Sequence, residues 1–438
     1  MKNIKKIIIL IITIFLLSCN STTNNAVEIS KSDLKKYEEV FKDLKEYLYK
    51  EDGELWNHQL YGSLFFVDKN NRIIIANEKD NKGILSKRGE VYVGILPKEI
   101  NIANTAFDWN GKIWTMVMLP LPKNYNERLN LLTHELFHRI QPEVGFANLL
   151  EKQSNHLDYL DGRIYIKLEL EALKKALLSD DELIRNKHIE NALQFRNYRY
   201  EIYDGAKEIE NTLELKEGLA EYTGSILSKR TDENLKKHYI EAINNFYNNP
   251  TFVKSFAYRT IPVYGYLMNL KDRNWNKKVS KKTNLTDFIM AFFNVKKPLN
   301  LKEYVRKTRM DYSYKKISEF EIIRDNKRKS LIAEYELKFQ QSPVLVIQFE
   351  NMNIGYNPSN IMPLNDLGTV YPNLRVTDNW GVLTVENGAL LSNNWDKVTV
   401  SKPTKISEKI IKGDGWNLEL NKDWKLEKIE KNYTLIKK

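Results

Sequence analysis

Residues 130–141 read N-L-L-T-H-E-L-F-H-R-I-Q and contain the pattern H-E-x-x-H, formed by His134, Glu135 and His138. In an α-helix, residues four apart lie on the same face, so the two imidazoles would point in the same direction. Glu135 would lie about 100° around the helix axis from His134, because one turn takes 3.6 residues. In a helix, therefore, the two histidines can share one ligand while the carboxylate stands beside that ligand.

The flanking residues predict that this stretch is a buried helix. Asn124 and Glu127 have the spacing of a capping box, and Pro142 predicts that the helix ends at Gln141. An apolar stripe follows the helical period at Leu129, Leu132, Leu136 and Ile140. The competing interpretation is a chance grouping on a surface helix. It is weak because the 438 residues include only six histidines, and because buried His and Glu side chains need partners.

Two histidines at this spacing are typical of a zinc site, and the glutamate between them is typical of a metal-dependent hydrolase. The pattern therefore predicts one zinc ion bound by His134 and His138. Glu135 is expected to act as a general base that takes a proton from a water activated by the metal.

The first 19 residues predict an export signal. Three lysines among the first six residues precede an apolar run, residues 7–17, that is too short for a comfortable membrane span. The sequence L-L-S-C then ends at Cys19, the only cysteine in the chain, and resembles the lipobox of bacterial lipoprotein signal peptides. The resemblance implies lipidation of Cys19 and a membrane-anchored protein of the bacterial cell envelope, outside the cytoplasm. An ordinary secretory peptide or a short N-terminal anchor is the alternative. Residues 20–28 are expected to form a flexible tether.

The charge pattern argues against nucleic-acid binding. The net charge of +11 comes from 68 Lys and Arg against 57 Asp and Glu, but the lysines are scattered and form no basic block interleaved with aromatic residues. We expect them to cover a solvated surface. A basic surface near an anionic bilayer is the alternative.

The length of the chain is enough for two or three domains. Short β-prone runs precede the H-E-x-x-H stretch, and the pair N-G at residues 110–111 predicts a hairpin. Helical patterns follow, and from residue 334 short β-prone segments alternate with turn residues. We therefore predict an α+β fold. Residues 29–333 would form a catalytic domain in which a small, mostly antiparallel sheet precedes a largely helical part. Residues 334–438 would form a β-sandwich-like domain.

A catalytic zinc ion usually has three protein ligands. The metzincin pattern places a third histidine six residues after the second, where this chain has Val144, so that pattern fails. His156 lies eighteen residues after His138 and is one candidate. Residues 215–222 read L-K-E-G-L-A-E-Y and offer another. This stretch resembles the E-G-x-A-E-Y element of gluzincin peptidases, a superfamily that includes aminopeptidase-N-like and thermolysin-like enzymes.

The resemblance implies a zincin-like catalytic domain in which Glu217 is the third zinc ligand and Glu221 hydrogen-bonds a ligand histidine. The small Gly218 would let this helix pack closely on the H-E-x-x-H helix. The spacing departs from that of aminopeptidase N, since Glu217 lies 79 positions after His138 and a helical insert must separate them. Alone, Glu217 would be read as part of an exposed acidic stripe, formed by Glu210, Glu214, Glu217 and Glu221.

Further candidates follow the glutamate helix. Gluzincins often stabilise the oxyanion with a tyrosine or histidine there, and Tyr258 and Tyr264 are the candidates. Since the chain has 24 tyrosines, an ordinary core or surface tyrosine is the competing interpretation for each. Arg259 could bind a carboxylate. The strand predicted at residues 112–119 is expected to border the substrate cleft.

Together, these features predict a lipid-anchored zinc metallopeptidase of the gluzincin type that hydrolyses peptide or protein substrates. One alternative is a zinc hydrolase acting on a non-peptide substrate. Another is a surface binding lipoprotein with a degenerate zincin core, although the expected catalytic residues are all present. The aminopeptidase motif G-x-M-E-N is absent, which weighs slightly against aminopeptidase activity.

Overall fold

The computed structural model describes residues 29–357 and 361–438. The predicted signal peptide, Cys19 and the predicted tether lie outside these residues. The described chain is α+β, with eleven α-helices, three sheets and a C-terminal region of β-strands, as predicted. None of the described helices is both long enough and apolar enough to cross a bilayer.

The N-terminal sheet follows a capped helix, α1 (Lys31–Glu51). Its six strands are β1 (Leu64–Asp68), β2 (Ile73–Ala76), β3 (Ser86–Arg88), β4 (Val91–Ile95), β5 (Thr105–Asp108) and β6 (Ile113–Leu119). Their spatial order is β3-β4-β2-β1-β6-β5, and every neighbouring pair is antiparallel except β1 with β6. The predicted hairpin is confirmed. Asn110 and Gly111 join β5 to β6 with φ values of 59° and 75°, the positive values that a tight two-residue turn requires.

The H-E-x-x-H stretch lies in α2 (Tyr125–Ile140). Its start is as predicted, because the Asn124 side chain accepts a hydrogen bond from the backbone N–H of Glu127 at 3.1 Å. Its end is also as predicted, with Gln141 as the capping residue before Pro142. The predicted apolar stripe is buried in the main core, at Leu129, Leu132, Leu136 and Ile140.

Nine further helices complete the helical part in the described chain. They are α3 (Leu160–Leu178), α4 (Glu182–Ile202), α5 (Ala206–Leu213), α6 (Leu219–Ile226), α7 (Asp232–Phe246), α8 (Ala257–Asn269), α9 (Leu285–Phe292), α10 (Leu301–Thr308) and α11 (Tyr314–Glu336). A π-helical turn, Glu214–Gly218, joins α5 to α6 without a break in the helical path. Because α11 runs to Glu336, the predicted boundary between residues 333 and 334 lies inside a helix.

Residues 344–437 form a β region of two sheets. The first has the order β18-β19-β7-β14-β13-β10-β9 and the second β15-β16-β17-β12-β11-β8. Their bounds are β7 (Val344–Gln348), β8 (Asn353–Tyr356), β9 (Met362–Pro363), β10 (Thr369–Tyr371), β11 (Leu374–Asp378), β12 (Gly381–Val385), β13 (Ala389–Leu391), β14 (Lys397–Ser401), β15 (Pro403–Ile406), β16 (Ile410–Gly413), β17 (Trp416–Leu420), β18 (Trp424–Ile429) and β19 (Asn432–Lys437). The sheets share one apolar core, to which Leu345 and Val398 contribute from the first sheet and Val376 and Leu383 from the second.

Candidate metal centre

Three side chains from two helical segments converge on one point. The Nε2 atoms of His134 and His138 are 3.2 Å apart. The Oε2 atom of Glu217 lies 3.7 Å from the first and 3.3 Å from the second. Ligands of a tetrahedral zinc ion, with bond lengths of 2.0 to 2.2 Å, are separated by roughly 3.3–3.6 Å. The three atoms therefore have the spacing of a metal-binding group, and they are the only such group among the described residues.

The orientation of His134 is fixed from the α6 side. Its Nδ1 atom lies 2.9 Å from Oε2 of Glu221. Since an ionised carboxylate only accepts hydrogen bonds, Nδ1 carries a proton and Nε2 is the nitrogen that faces the common point. Glu221 is also held by Asn130, whose Nδ2 donates to Oε1 at 3.2 Å. Glu221 thus occupies the orienting position that the resemblance implied.

His138 is oriented by Gln141, for which the sequence predicted no role beyond ending the helix. Nδ1 of His138 lies 2.9 Å from Oε1 of Gln141. The amide nitrogen of Gln141 donates to the carbonyl oxygens of Leu215 and Lys216 at 3.1 and 2.7 Å, so its oxygen must face the imidazole. One glutamine therefore orients a histidine and also fastens α2 to the segment that carries Glu217.

The electrostatics of this pocket favour a bound cation. Burial lowers the pKa of His134, but hydrogen bonds to Glu217 and Glu221 outweigh burial and raise it to about 10. Burial would raise the pKa of Glu217, yet His138 and His134 hold it well below its ordinary value. The pocket thus stabilises positive charge, and a metal ion that binds there must displace protons from the imidazoles.

Glu135 is buried beside this group, with 5% of its surface exposed. Its Oε2 atom has no hydrogen-bond partner among the described residues, and the side chain lines the same cavity as His138 and Glu217. Burial raises its pKa, although the two histidines oppose that shift. An unpaired, partly desolvated carboxylate next to a metal group is suited to accept a proton.

The two candidate tyrosines lie in different places. The hydroxyl of Tyr258 donates to Oε2 of Glu217 at 2.5 Å, and its ring stacks on that of His134 with 5.5 Å between centroids. Tyr264 is fully buried, donates to Glu169 at 3.2 Å and lines neither of the cavities next to the metal group. Six positions on a helix correspond to about 240° of rotation, so the two side chains leave α8 in different directions. Tyr264 is therefore a core tyrosine, the competing interpretation for this residue.

His156, the other candidate for the third ligand, is not part of the group. Its Nε2 atom lies 2.7 Å from Oε1 of Glu210, and both side chains are buried.

Gly218 was expected to pack closely on α2, but it packs on α8 instead. A Cβ at Gly218 would lie 2.8 Å from Cβ of Ile261 on α8. The close approach to α2 occurs at Gly224 instead, where a Cβ would lie 2.6 Å from the carbonyl oxygen of Asn130.

A cavity of about 370 Å³ opens beside the metal group. Besides Glu135 and Tyr258 it is lined by Asn104, Thr105 and Ala106, which lie at the start of β5. The expectation that the strand at residues 112–119 borders the cleft was wrong. That strand, β6, lies between β1 and β5, which leaves β5 as the edge of the sheet.

A buried ion network connects the helix that precedes Glu217 to the helical insert. Arg196 of α4 pairs with Glu169 of α3 and with Glu214, both at 2.7 Å. Arg199 pairs with Glu169 at 2.9 Å and with Glu210 at 2.6 Å. All five side chains have no exposed surface. Two members of the predicted acidic stripe thus point into the protein, and they attach the segment that carries Glu217 to α3 and α4.

Comparison of the chain with protein-family models, with curated proteins and with solved structures finds no match.

Proposed function

We propose that the protein is a zinc metallopeptidase of the gluzincin type, in which His134, His138 and Glu217 bind one zinc ion. The observation that carries the proposal is the spacing of the three ligand atoms, between 3.2 and 3.7 Å, together with a fixed orientation of both imidazoles. Two nitrogen donors and one carboxylate oxygen are a common ligand set for catalytic zinc.

The chemistry follows from what surrounds this group. A bound zinc ion lowers the pKa of water and polarises a carbonyl group. The free Oε2 atom of Glu135 accepts the proton of the attacking water and passes it to the leaving nitrogen. Burial and the carboxylate of Glu217 raise the pKa of Tyr258 well above its ordinary value, so its hydroxyl keeps its proton. In the metal-bound site, where Oε2 of Glu217 is a ligand, we assign this hydroxyl to donating instead to the negative charge that develops on the carbonyl oxygen.

A peptide is the substrate that fits the cleft best. The edge strand β5 borders the cavity through Thr105 and Ala106, with Asn104 just before it, and an extended peptide can add to such an edge through backbone hydrogen bonds. A zinc hydrolase for non-peptide substrates would make no use of that edge. In a degenerate binding protein, no catalytic role would offset the free-energy cost of burying Glu135 with an unpaired oxygen.

The decisive experiment measures metal content and peptide cleavage for the chain from residue 20 onward. The wild type should bind about one zinc ion and cleave members of a peptide library. Glu135→Gln should retain zinc and lose at least about 10²-fold in kcat/KM, the contribution typical of a general base. Glu241→Gln, which changes an exposed glutamate of α7, serves as the control. Equal cleavage by the wild type and Glu135→Gln would refute the assignment of the base. Bound zinc without any cleavage would favour the degenerate binding protein.

We further propose that the site works outside the cytoplasm on a lipid anchor at Cys19. The support is the L-L-S-C sequence after a short apolar run. Metabolic labelling with a fatty acid should modify the full chain but not Cys19→Ser. Equal labelling of the two proteins would refute the anchor.

A further inference from the structure

A second cavity, of about 440 Å³, adjoins the metal group at Glu217. It shares Glu217 and Tyr258 with the first cavity, so the two cavities meet at these side chains. Its other lining residues include the cations Lys254 and Arg259. A peptide that crosses the metal group would place the residues on one side of its scissile bond in this second cavity.

The charged side chains that line this cavity are two carboxylates, Glu151 and Glu217, and two cations, Lys254 and Arg259. Glu151 is paired with Lys254 and also with Lys216. Glu217 belongs to the metal group. With Glu217 bound to a metal ion, Glu151 is the one lining carboxylate left to face Lys254 and Arg259, and it is shared with Lys216.

Arg259 has no carboxylate partner. In the described chain no Asp or Glu oxygen lies within ion-pair distance of its guanidinium, whose one hydrogen bond goes to the carbonyl oxygen of Tyr258 at 3.2 Å. Its Nε atom is buried without any partner. The nearby Glu221 already uses its two oxygens for Asn130 and His134. A guanidinium with free donors is suited to bind a carboxylate through two parallel hydrogen bonds.

The β region contributes one side chain to the lining of this cavity. Tyr356 at the end of β8 lines it. The start of the same strand is attached to the loop before β5, because Asn353 accepts from Asn101 at 2.5 Å and donates to the carbonyl oxygen of Glu99 at 2.9 Å. Tyr356 is therefore carried by a strand that is attached to the N-terminal part of the chain.

We propose that this cavity, lined by Glu151, Lys254, Arg259 and Tyr356, is a substrate subsite for a carboxylate near the scissile bond. The inference rests on the proposed peptidase function and names its substrate class. The carboxylate can come from an acidic side chain or from the free C-terminus of a peptide. In both cases Arg259 and Lys254 provide the counter-charges, and Tyr356 gives the β region a part in substrate selection.

The test uses short acetylated peptides of alanine and leucine, with one glutamate or glutamine placed at each position in turn, and with a free acid or an amide at the C-terminus. We expect the wild type to prefer the carboxylate form by about tenfold or more in kcat/KM, as for a hydrogen bond to a charged group. Preference in the Glu/Gln pairs assigns an acidic side chain, and preference in the acid/amide pairs assigns the C-terminus. In Arg259→Met and Lys254→Met the ratio within the pairs should fall towards one, whereas Lys237→Met, on the exposed face of α7, should leave it unchanged.

Binding to the Glu135→Gln variant separates the two proposals, because it does not require cleavage. Its affinity for the same peptides, measured by calorimetry, should show the same preference for carboxylates and lose it when Arg259→Met is added. Equal cleavage and equal binding of all paired peptides would overturn the subsite and leave the peptidase function intact. If no peptide is cleaved but carboxylate peptides bind preferentially, the peptidase function fails and the cavity remains a carboxylate-binding site.

Discussion

The substitution Arg196→Met is expected to lower the free energy of unfolding by about 3–5 kcal/mol, the cost of removing one partner from a buried ion pair. Arg196 donates to Glu169 at 2.7 Å, to both oxygens of Glu214 at 2.7 and 3.0 Å, and to Thr286 at 3.2 Å. Methionine fills a similar space without any donor. Glu214 would then keep only the hydroxyl of Thr260, at 2.6 Å, as a described hydrogen-bond partner.

The chain itself offers a matched control. Arg306, on the surface of α10, forms a bidentate ion pair with Glu303, as Arg196 does with Glu214. Both of its hydrogen bonds are 2.9 Å long. Urea unfolding of Arg196→Met and Arg306→Met, followed by circular dichroism at equal pH and salt, isolates the effect of burial. We expect a large decrease in the urea midpoint for the first variant and none that is measurable for the second.

The same variant tests whether the network positions the metal group. Glu214 lies three residues before Glu217 in one helical segment. When Glu214 is no longer held by Arg196, Glu217 should be held less firmly as well. Zinc binding by the fraction of protein that remains folded should therefore weaken. A loss of less than about 1 kcal/mol of stability would refute the reasoning, because it would mean that the freed carboxylates find water or a proton at little cost.

Three more outcomes are expected. Gln141→Ala should weaken zinc binding by about 10–100-fold in a chelator competition, because His138 loses its orienting acceptor; unchanged affinity would mean that the ring is held by other contacts. Gly224→Ala would place a methyl group 2.6 Å from a carbonyl oxygen of α2 and should lower stability by about 1–3 kcal/mol; an unchanged urea midpoint would contradict this close packing. Burial would raise the pKa of Glu210, but Arg199 outweighs it and holds that pKa below its ordinary value of 4.5. The stability from Glu210 is therefore complete above pH 4.5 and lost as the pH falls further, a dependence that should be smaller in Glu210→Gln.

Local rules were sufficient to predict α2 and its histidines. The cap at Asn124, the end before Pro142 and the i, i+4 spacing depend on residues less than two turns apart, and such signals are visible in a sequence. The hairpin at residues 110–111 is local in the same way. Glu217 could be predicted from its neighbours in E-G-x-A-E-Y even though 79 positions separate it from His138.

The network and the role of Gln141 could not be predicted, because both depend on partners far away in the chain. Glu210 and Glu214 look like exposed residues of an acidic stripe until α4 places Arg196 and Arg199 against them. A charged residue on a helix is predicted to face solvent unless its partner is known. The boundary predicted between residues 333 and 334, which lies inside α11, had another cause. Its apolar residues are spread around the helix, and Phe320 and Ile323 are exposed, so the helical period has no clear signal.

The π-helical turn Glu214–Gly218 sets the angle between the side chains before it and those after it. The N–H of Leu219 bonds to the carbonyl oxygen of Glu214, five residues back, so the turn contains one residue more than a regular helix would. If the same residues formed a regular helix, all that follows would be rotated by about 100° relative to all that precedes. Glu214 could then no longer reach Arg196 while Glu221 reaches His134. Among relatives of this chain, the wide turn should therefore recur wherever both of these contacts are kept.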